Sequence, residues 1–413
     1  MGIVRPGPVV LTASGYFVKV LHVIPSVAPR YGGPSRAVIE MCHALAGHGV
    51  DTLIATTDAD GDKRLDVKLD TLISYKNTPA IFFSRQWSEA FKYSQPLSRW
   101  LAAHVADFDV VHIHAVFSHA CLAAAKACRR KGVPYVVRPL GTLDPWSLKQ
   151  KRLRKSLFWH LGVRQMLRGA AAIHYTTVAE QRQAEESLGL TRGVVIPLGV
   201  ETDLFNEIKG TKKSETSMSS SFKPPYVLVL SRLHQKKGLE VLLPAFLSLV
   251  KQPEFAEWKL VLAGEGEMKY VDSLKSLVKL CGGNGNVVFT GWIDGTRRRD
   301  ALREAALLAL TSYQENFGLC AVEALACGVP VLLSPHVNLA QEIEKVGAGW
   351  VSPLESTALE QTLAETLRDE KGRAQRGAIG KDFAHQRFTW NAVAEALAYF
   401  YNSVATKERE KGE

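Results

Sequence analysis

The 413-residue sequence has few cysteines and no long apolar run. Its six cysteines include no C-x-x-C pair, and four of them lie in apolar, helix-like stretches, so reduced thiols in the core are expected. No stretch approaches the ~20 apolar residues that a membrane-spanning helix needs. The first apolar strand follows no basic region or cleavage site of the kind found in signal peptides. These absences predict a cytoplasmic protein without a spanning anchor.

Two common kinds of cofactor site are also missing from the pattern. The glycines of residues 31–35 and of Gly264-Glu265-Gly266 lack the G-x-G-x-x-G spacing of dinucleotide-binding folds, which disfavours hydride transfer. His112 and His114 alternate along the strand DVVHIHAVF, but no third ligand stands at a spacing suited to zinc. We therefore expect no cofactor and no metal.

What the sequence does contain is typical of a folded, basic, two-domain protein. Hydrophobic residues make up 46% and charged residues 22%, which excludes a disordered or fibrous chain. The length exceeds one ordinary domain of ~100–200 residues and suits two. The formal net charge of +10 indicates an anionic partner, which could be a nucleic acid, a phosphate ester or a membrane surface.

Apolar β-rich runs alternate with helix-period stretches in two separate parts of the chain. This alternation predicts an α/β protein with two doubly wound parallel-sheet, Rossmann-like domains, whose ligand lies in a cleft where the strand ends of the two domains face each other. A segment rich in Ser, Thr, Lys and Pro separates the two parts and is typical of a linker. The expected boundaries are an extension at 1–16, domains at 17–205 and 225–413, and a linker at 206–224, with the last helix assigned to the second domain.

The densest functional signal is the segment from Glu315 to Glu323, which runs from a strand into the helix LCAVEALAC. Two carboxylates at this spacing can hold separate parts of one extended ligand. The backbone N–H groups at the helix start can bind a diphosphate, and they belong to Asn316, Phe317, Gly318 and Leu319. The alternative is that Glu315 only caps the helix and Glu323 is a solvated helical residue.

A basic loop follows the first strand of the second domain. Arg232 offers a planar guanidinium and Lys237 a point charge, a pair suited to a diphosphate whose negative charge grows as a bond to it breaks. The alternative is a solvated basic loop, but Gly238 and the apolar helix after it indicate a strand-to-helix junction, where ligand-binding loops lie.

In the first domain, Gly32 and Gly33 lie between the first strand and the first helix, where paired glycines let backbone N–H groups approach a phosphate. Ser35 is expected to cap that helix. Of the two histidines, His114 is nearer the carboxyl end of its strand, and we expect it to contact a bound sugar or acceptor. His112 is interpreted as a hydrogen-bonded core residue.

The order of four elements resembles that of the retaining family-4 glycosyltransferases of GT-B architecture. These elements are the Gly-Gly loop, the H-x-H strand, the R-x4-K-G loop and the E-x7-E helix. The resemblance covers roughly residues 17–400, and the segment RPLGTLDPWSLKQKRLRK (138–155) is similar to the branch that builds exopolysaccharides and lipopolysaccharides. Ser231 departs from the glycine that often precedes the arginine. The resemblance implies these roles: Glu315 contacts the transferred sugar, Glu323 the ribose, Arg232, Lys237 and Gly33 the diphosphate, and His114 the sugar.

The resemblance implies that residues 17–205 face the acceptor and that residues 225–413 bind the nucleotide sugar. The expected reaction is transfer of a hexosyl unit from a UDP- or GDP-linked sugar to a glycan or lipid-linked acceptor, with retention, in cell-surface polysaccharide synthesis. No metal is expected, because two cations and a helix dipole already neutralise the leaving group. The alternatives are a nucleotide-sugar 2-epimerase, a phosphorylase or, less favoured, a basic nucleic-acid-binding protein, which shows no recognised motif here.

The positive charge is concentrated in the first domain. Between Lys126 and Arg168 there are twelve basic residues and one acidic residue, Asp144. Apolar residues at helical spacing, including Leu157 and Phe158, accompany the basic run 149–168. Two interpretations stay open: an amphipathic helix that lies on an anionic bilayer at the inner membrane face, or a core-packed helix with a solvated basic face.

Overall fold

The structure is a computed structural model with two compact units, Met1–Gly199 with Trp390–Glu413 and Val200–Thr389. It describes residues 18–144, 147–148, 152–205, 225–283 and 285–409. The predicted extension at 1–16 and the predicted linker at 206–224 lie outside the described residues.

The first unit is built around a mainly parallel sheet. Its described strands are β1 (Val18–Ser26), β2 (Val50–Thr57), β3 (Ala59–Asp60), β4 (Lys63–Arg64), β5 (Leu72–Tyr75), β6 (Thr78–Phe83), β7 (Val110–His114), β8 (Tyr135–Arg138), β9 (Ala172–Tyr175) and β10 (Gly193–Val195). The sheet order is β10-β9-β8-β7-β1-β2-β6-β5, and every neighbouring pair is parallel except β5 with β6. The short strands β3 and β4 form a separate antiparallel pair.

Helices cover this sheet, and its central strands are therefore largely buried. The helices are α1 (Gly33–Ala46), α2 (Gln95–His104), α3 (His119–Lys131), α4 (Arg152–Phe158), α5 (Arg164–Gly169) and α6 (Val178–Leu188), with a π-helical segment at Trp159–Val163 between α4 and α5. All five residues of β7 are buried. Since β1 pairs with both β2 and β7, the strand order reverses beside β1, and the segments after β1 and β7 leave the sheet at this reversal.

The second unit has a wholly parallel sheet in the order β13-β12-β11-β14-β15-β16. Its strands are β11 (Tyr226–Leu230), β12 (Lys259–Ala263), β13 (Val287–Gly291), β14 (Leu307–Leu310), β15 (Val331–Leu333) and β16 (Gly349–Val351). Its helices are α7 (Leu239–Leu249), α8 (Met268–Leu280), α9 (Gly295–Glu304), α10 (Leu319–Ala326), α11 (Ala340–Val346), α12 (Ser356–Arg368) and α13 (Glu370–Arg387). The strand order reverses between β11 and β14, so the segments after these two strands leave the sheet side by side.

The predicted fold class, two doubly wound α/β domains, is confirmed, but the position of the last helix differs from the expectation. Helix α14 (Trp390–Arg409) packs on α1 and β1 of the first unit, not on the second domain. Its buried Tyr401 hydroxyl lies 2.7 Å from His112 Nδ1 on β7. Sequence order gave no hint of this return, because the apolar face of a terminal helix can cover either sheet. The six cysteines are all free, and three of them are only half-buried.

Removing the Tyr401 hydroxyl is expected to destabilise the first unit. Tyr401→Phe leaves His112 Nδ1 buried without its donor, which costs about 1–3 kcal/mol of unfolding free energy. Tyr399→Phe is the matched control, because Tyr399 lies on the same helix and is 73% exposed. Urea unfolding of both variants measures the difference, and equal stability of the two would contradict a structural role for this hydrogen bond.

Candidate active site

The basic loop after β11 is fixed against the segment after β14. Gly238 has φ +63°, and a Cβ atom there would lie 2.2 Å from the Thr311 carbonyl oxygen, so the position requires glycine. The Thr311 hydroxyl donates to the Lys237 carbonyl over 3.1 Å. The Tyr313 N–H donates to the Lys236 carbonyl over 2.8 Å. The loop and the start of the Glu315 segment are therefore held together by backbone contacts.

These contacts bring the two predicted halves of the site together. Lys237 Nζ forms a hydrogen-bonded ion pair with Glu315 Oε2, and both side chains are mostly buried. Arg232 lies at the beginning of the same loop and is exposed. The solvated-loop alternative therefore does not describe Lys237. Its ammonium group is positioned by a carboxylate that the sequence also singled out.

The E-x7-E segment forms a tight entrance to helix α10. Gly318 adopts the left-handed conformation with φ +74° and directly precedes Leu319, the first helical residue. The Glu315 N–H donates to the His336 carbonyl over 3.0 Å, and the Glu315 carbonyl accepts from Asn338 N–H over 3.0 Å. Phe317 is buried. The N-cap residue is Gly318, and the Glu315 carboxylate is bonded to Lys237, so the interpretation that Glu315 only caps the helix is wrong.

The second glutamate of the motif is buried as well. Glu323 is 1% exposed and its Oε2 forms an ion pair with Arg298 Nη2 of α9. The alternative of a solvated helical glutamate is therefore wrong. Arg298 was not among the predicted residues, because a run of three arginines on a polar helix gives no sign of which one turns inward.

Ser231 replaces a glycine of the resembled family without strain, because the close approach in this loop falls on other residues. A Cβ atom at Gly264 would lie 1.9 Å from the Ser231 carbonyl oxygen, and one at Gly266 would lie 2.0 Å from the Leu233 carbonyl oxygen. The segment Gly264-Glu265-Gly266 is not a nucleotide-binding fingerprint. Its glycines let the chain that follows β12 run beside the basic loop.

In the first unit, Gly32 and Gly33 lie where β1 gives way to α1. Among the described residues, no atom lies within 4 Å of a Cβ atom built at either glycine, so a ligand can approach their backbone. The expectation that Ser35 caps the helix is wrong. Its hydroxyl donates to the Ser26 carbonyl over 3.0 Å, which ties the helix to the end of β1.

His114 and His112 belong to a buried cluster of four histidines. His174 Nε2 lies 2.8 Å from the Ile196 carbonyl and must donate to it, so Nδ1 of the neutral ring accepts from His112 Nε2, 3.3 Å away. His112 Nδ1 then accepts from Tyr401, which confirms His112 as a hydrogen-bonded core residue. His114 Nε2 lies 3.0 Å from His22 Nδ1, and its ring is fully buried.

His22 provides the third imidazole that the sequence did not reveal. Ring nitrogens of His22, His112 and His114 lie within 4.8 Å of one another. Both nitrogens of His112 are already engaged in hydrogen bonds, and the buried Arg138 guanidinium adds to burial in lowering the pKa of all three rings. The same positive charge opposes a divalent cation, so these residues do not fit a resident metal.

Comparison with known proteins identifies the class of enzyme. The profile "Glycosyl transferase 4-like domain" matches residues 32–199, and "Glycosyl transferases group 1" matches residues 212–383. The D-inositol 3-phosphate glycosyltransferase of Xylanimonas cellulosilytica is 28% identical over 92% of this chain and 93% of its own length. The GDP-mannose:cellobiosyl-diphosphopolyprenol alpha-mannosyltransferase of Komagataeibacter xylinus is 23% identical over 94% of this chain and 93% of its own.

Other similarities are shorter or concern the fold. The mannosylfructose-phosphate synthase of Agrobacterium fabrum is 28% identical, but the match spans 51% of this chain and 48% of that protein. The crystal structure of Anabaena HepE in complex with UDP and glucose has a TM-score of 0.74 at 22% identity, covering 94% of this chain and 100% of that chain. The chain belongs to the family-4 glycosyltransferases and has the GT-B fold.

The histidine cluster predicts that the first unit loses stability in acid. Burial lowers the pKa of His22 and of His174 from 6.5 to about 3. Between these values the unfolded chain binds protons that the folded chain does not. Stability is therefore complete above pH 6.5 and falls as the pH decreases toward 3, by about 1.4 kcal/mol per pH unit for each histidine.

Urea unfolding at pH 7.5 and pH 5.5 measures this loss. His174→Gln is expected to make the pH dependence shallower, whatever its effect on stability at pH 7.5. His160→Gln removes an exposed histidine and is expected to leave the dependence unchanged. A dependence that is the same in all three proteins would show that the buried cluster does not cause it.

Proposed function

We propose that this glycosyltransferase moves a hexosyl unit from a UDP- or GDP-linked sugar to a glycan or lipid-linked acceptor, with retention at the anomeric carbon, in cell-surface polysaccharide synthesis. The observation that carries the donor assignment is the contact of Lys237 with Glu315 directly before helix α10. Two similarities support it. HepE is described in complex with UDP and with UDP-glucose, and the Komagataeibacter enzyme is named for GDP-mannose and a diphosphopolyprenol-linked acceptor.

The leaving nucleoside diphosphate needs positive charge where its own charge develops. Lys237, the exposed Arg232 of the same loop and the backbone N–H groups of residues 316–319 are proposed to provide it. In the structure Lys237 is paired with Glu315. A diphosphate carries more negative charge than one carboxylate and competes for Lys237, which leaves Glu315 to accept hydrogen bonds from the sugar hydroxyls.

The remaining assigned groups follow from the family resemblance. Glu323 is assigned to the ribose, and Gly33 to the diphosphate from the first unit. His114 is assigned to the sugar, and its full burial means that any contact requires an opening at the end of β7. Metal independence is part of the proposal, because fixed cations and the α10 N-terminus supply the electrostatic stabilisation that a divalent ion would otherwise give.

The basic segment supports placement at an anionic membrane surface. Leu157 and Leu161 are 58% and 68% exposed, whereas Phe158 stacks on Phe91 with ring centroids 4.8 Å apart. The helix therefore packs one apolar face on the unit and presents another to the outside. None of the described helices is both long and apolar enough to cross a bilayer.

Arginines flank this exposed apolar face. Arg164 and Arg168 are exposed and line, with Trp159, a groove of about 280 Å³. Arg138 is fully buried, and Lys155 turns back to the Ser147 carbonyl, so these two charges do not belong to the proposed surface. The side chains of residues 149 and 151–154 lie outside the described residues. A lipid-linked acceptor would be presented by the same membrane.

Glu315→Gln is expected to slow sugar transfer strongly while nucleoside diphosphate binding remains within a few fold of wild type. The carboxylate is assigned to the sugar, and removing one group that stabilises a transition state costs roughly 10²-fold or more in rate. The matched control is Glu344→Gln, an exposed glutamate of α11. Product assays and isothermal titration with UDP and GDP measure the two effects, and an equal loss of both would show that Glu315 is structural.

The same product assay tests the rest of the reaction. Turnover is expected to depend on an acceptor and to survive EDTA, and the product is expected to keep the anomeric configuration of the donor. Product formation without acceptor would indicate an epimerase, and dependence on free phosphate would indicate a phosphorylase. Loss of activity in EDTA that Mg²⁺ restores would contradict metal independence.

Membrane binding is tested by flotation with neutral and with phosphatidylglycerol-containing vesicles. Wild type is expected to float only with the anionic vesicles, and Leu157→Ser with Leu161→Ser to reduce flotation, because each exposed leucine adds apolar burial in the bilayer interface. The control pair is Met268→Ser with Leu280→Ser, which are exposed apolar residues of the second unit. Equal flotation of the two pairs, or indifference to lipid charge, would contradict the assignment.

A further inference from the structure

Arg298 is the inward-facing member of three consecutive arginines on α9. Arg297 is exposed, and Arg299 pairs with Asp203 Oδ2 at 2.7 Å. Arg298 instead hydrogen-bonds through Nη2 to the Oε2 atom of the buried Glu323. Each glutamate of the E-x7-E motif therefore has its own cation, since Glu315 is paired with Lys237.

The two carboxylates differ in how much water reaches them. The Glu315 side chain is 21% exposed and that of its partner lysine 16%, whereas the Glu323 side chain is 1% exposed. An ionised carboxylate this deeply buried is costly without a partner. The guanidinium is planar and holds a carboxylate in a defined orientation, which a lysine ammonium does not. A carboxylate has roughly four lone-pair sites, so an arginine bonded to it does not exhaust its capacity to accept from hydroxyl groups.

Arg298 also keeps its charge. Burial lowers its pKa, but the charge and the hydrogen bond of the Glu323 carboxylate raise it. The resulting pKa lies above the usual arginine value. The arginine of this pair therefore stays positively charged beside Glu323. A diphosphate that binds at the start of α10 has Lys237 within reach, whereas Arg298 is held by the other end of the motif.

We propose that Arg298 is a positioning residue that orients the Glu323 carboxylate to accept a hydrogen bond from a ribose hydroxyl, and that it thereby sets the preference for ribonucleotides over deoxyribonucleotides. This inference rests on the proposed function, in which Glu323 binds the ribose. A residue with a merely structural role would affect all nucleotides alike, so the ratio of two affinities is the informative quantity.

Isothermal titration of the full-length protein with UDP, GDP and their 2′-deoxy and 3′-deoxy counterparts measures this ratio. Arg298→Leu is expected to bind the ribonucleotide roughly tenfold to a hundredfold more weakly than wild type does, as loss of a hydrogen bond to a charged group implies. Its affinity for the deoxynucleotide is expected to stay close to that of wild type. Arg298→Lys keeps a cation beside Glu323 and is expected to retain part of the preference. Arg297→Leu is the matched control and is expected to behave as wild type.

The outcomes separate this inference from the proposed function. Wild type that binds neither UDP nor GDP would overturn the proposed function and this inference with it. Wild type that prefers ribonucleotides, together with Arg298 variants that keep the same preference or weaken all nucleotides equally, would overturn the inference alone. If Arg298→Leu does not fold, the ratio measured for Arg298→Lys decides, because an unchanged preference in that variant contradicts an orienting guanidinium.

Discussion

The proposed donor site depends on one contact, the ion pair between Lys237 and Glu315. The two residues come from segments that follow β11 and β14, which are neighbours only because the strand order reverses between them. Gly238 brings the loop close to Thr311, where the Thr311 hydroxyl and the Tyr313 N–H donate to loop carbonyls and fix it. The topology of the sheet therefore determines where positive charge and a carboxylate meet, at the start of a helix whose free N–H groups attract anions.

The motif uses its two carboxylates in different environments. Glu315 forms a partly solvated ion pair with Lys237. A stronger anion can displace Glu315 from this flexible lysine. Glu323 is buried and paired with Arg298, so separating the charges would leave this carboxylate buried and unpaired. A site with one exchangeable pair and one permanent pair can bind a charged ligand at one end and hold a neutral sugar ring in a fixed orientation at the other.

The sequence was sufficient for the fold and for the elements that carry the candidate site. Alternating apolar runs predicted both parallel sheets, and the spacing from Glu315 to Glu323 predicted a helix entrance that the structure contains. Three features were beyond it. The return of α14 to the first unit, the inward turn of Arg298 and the joining of His22 to the histidines of β7 all depend on contacts between residues distant in sequence, which no local pattern encodes. Ser35 was misassigned because a hydroxyl near a helix start can bond to a neighbouring strand end as readily as to its own helix.

A crystal structure of the full-length protein with UDP or GDP tests the central claim most directly. The predicted result is a diphosphate at the N-terminus of α10, with Lys237 Nζ bonded to a phosphate oxygen and no longer to Glu315. A nucleotide bound elsewhere, with the Lys237–Glu315 pair intact, would contradict the claim that this ion pair marks the donor site.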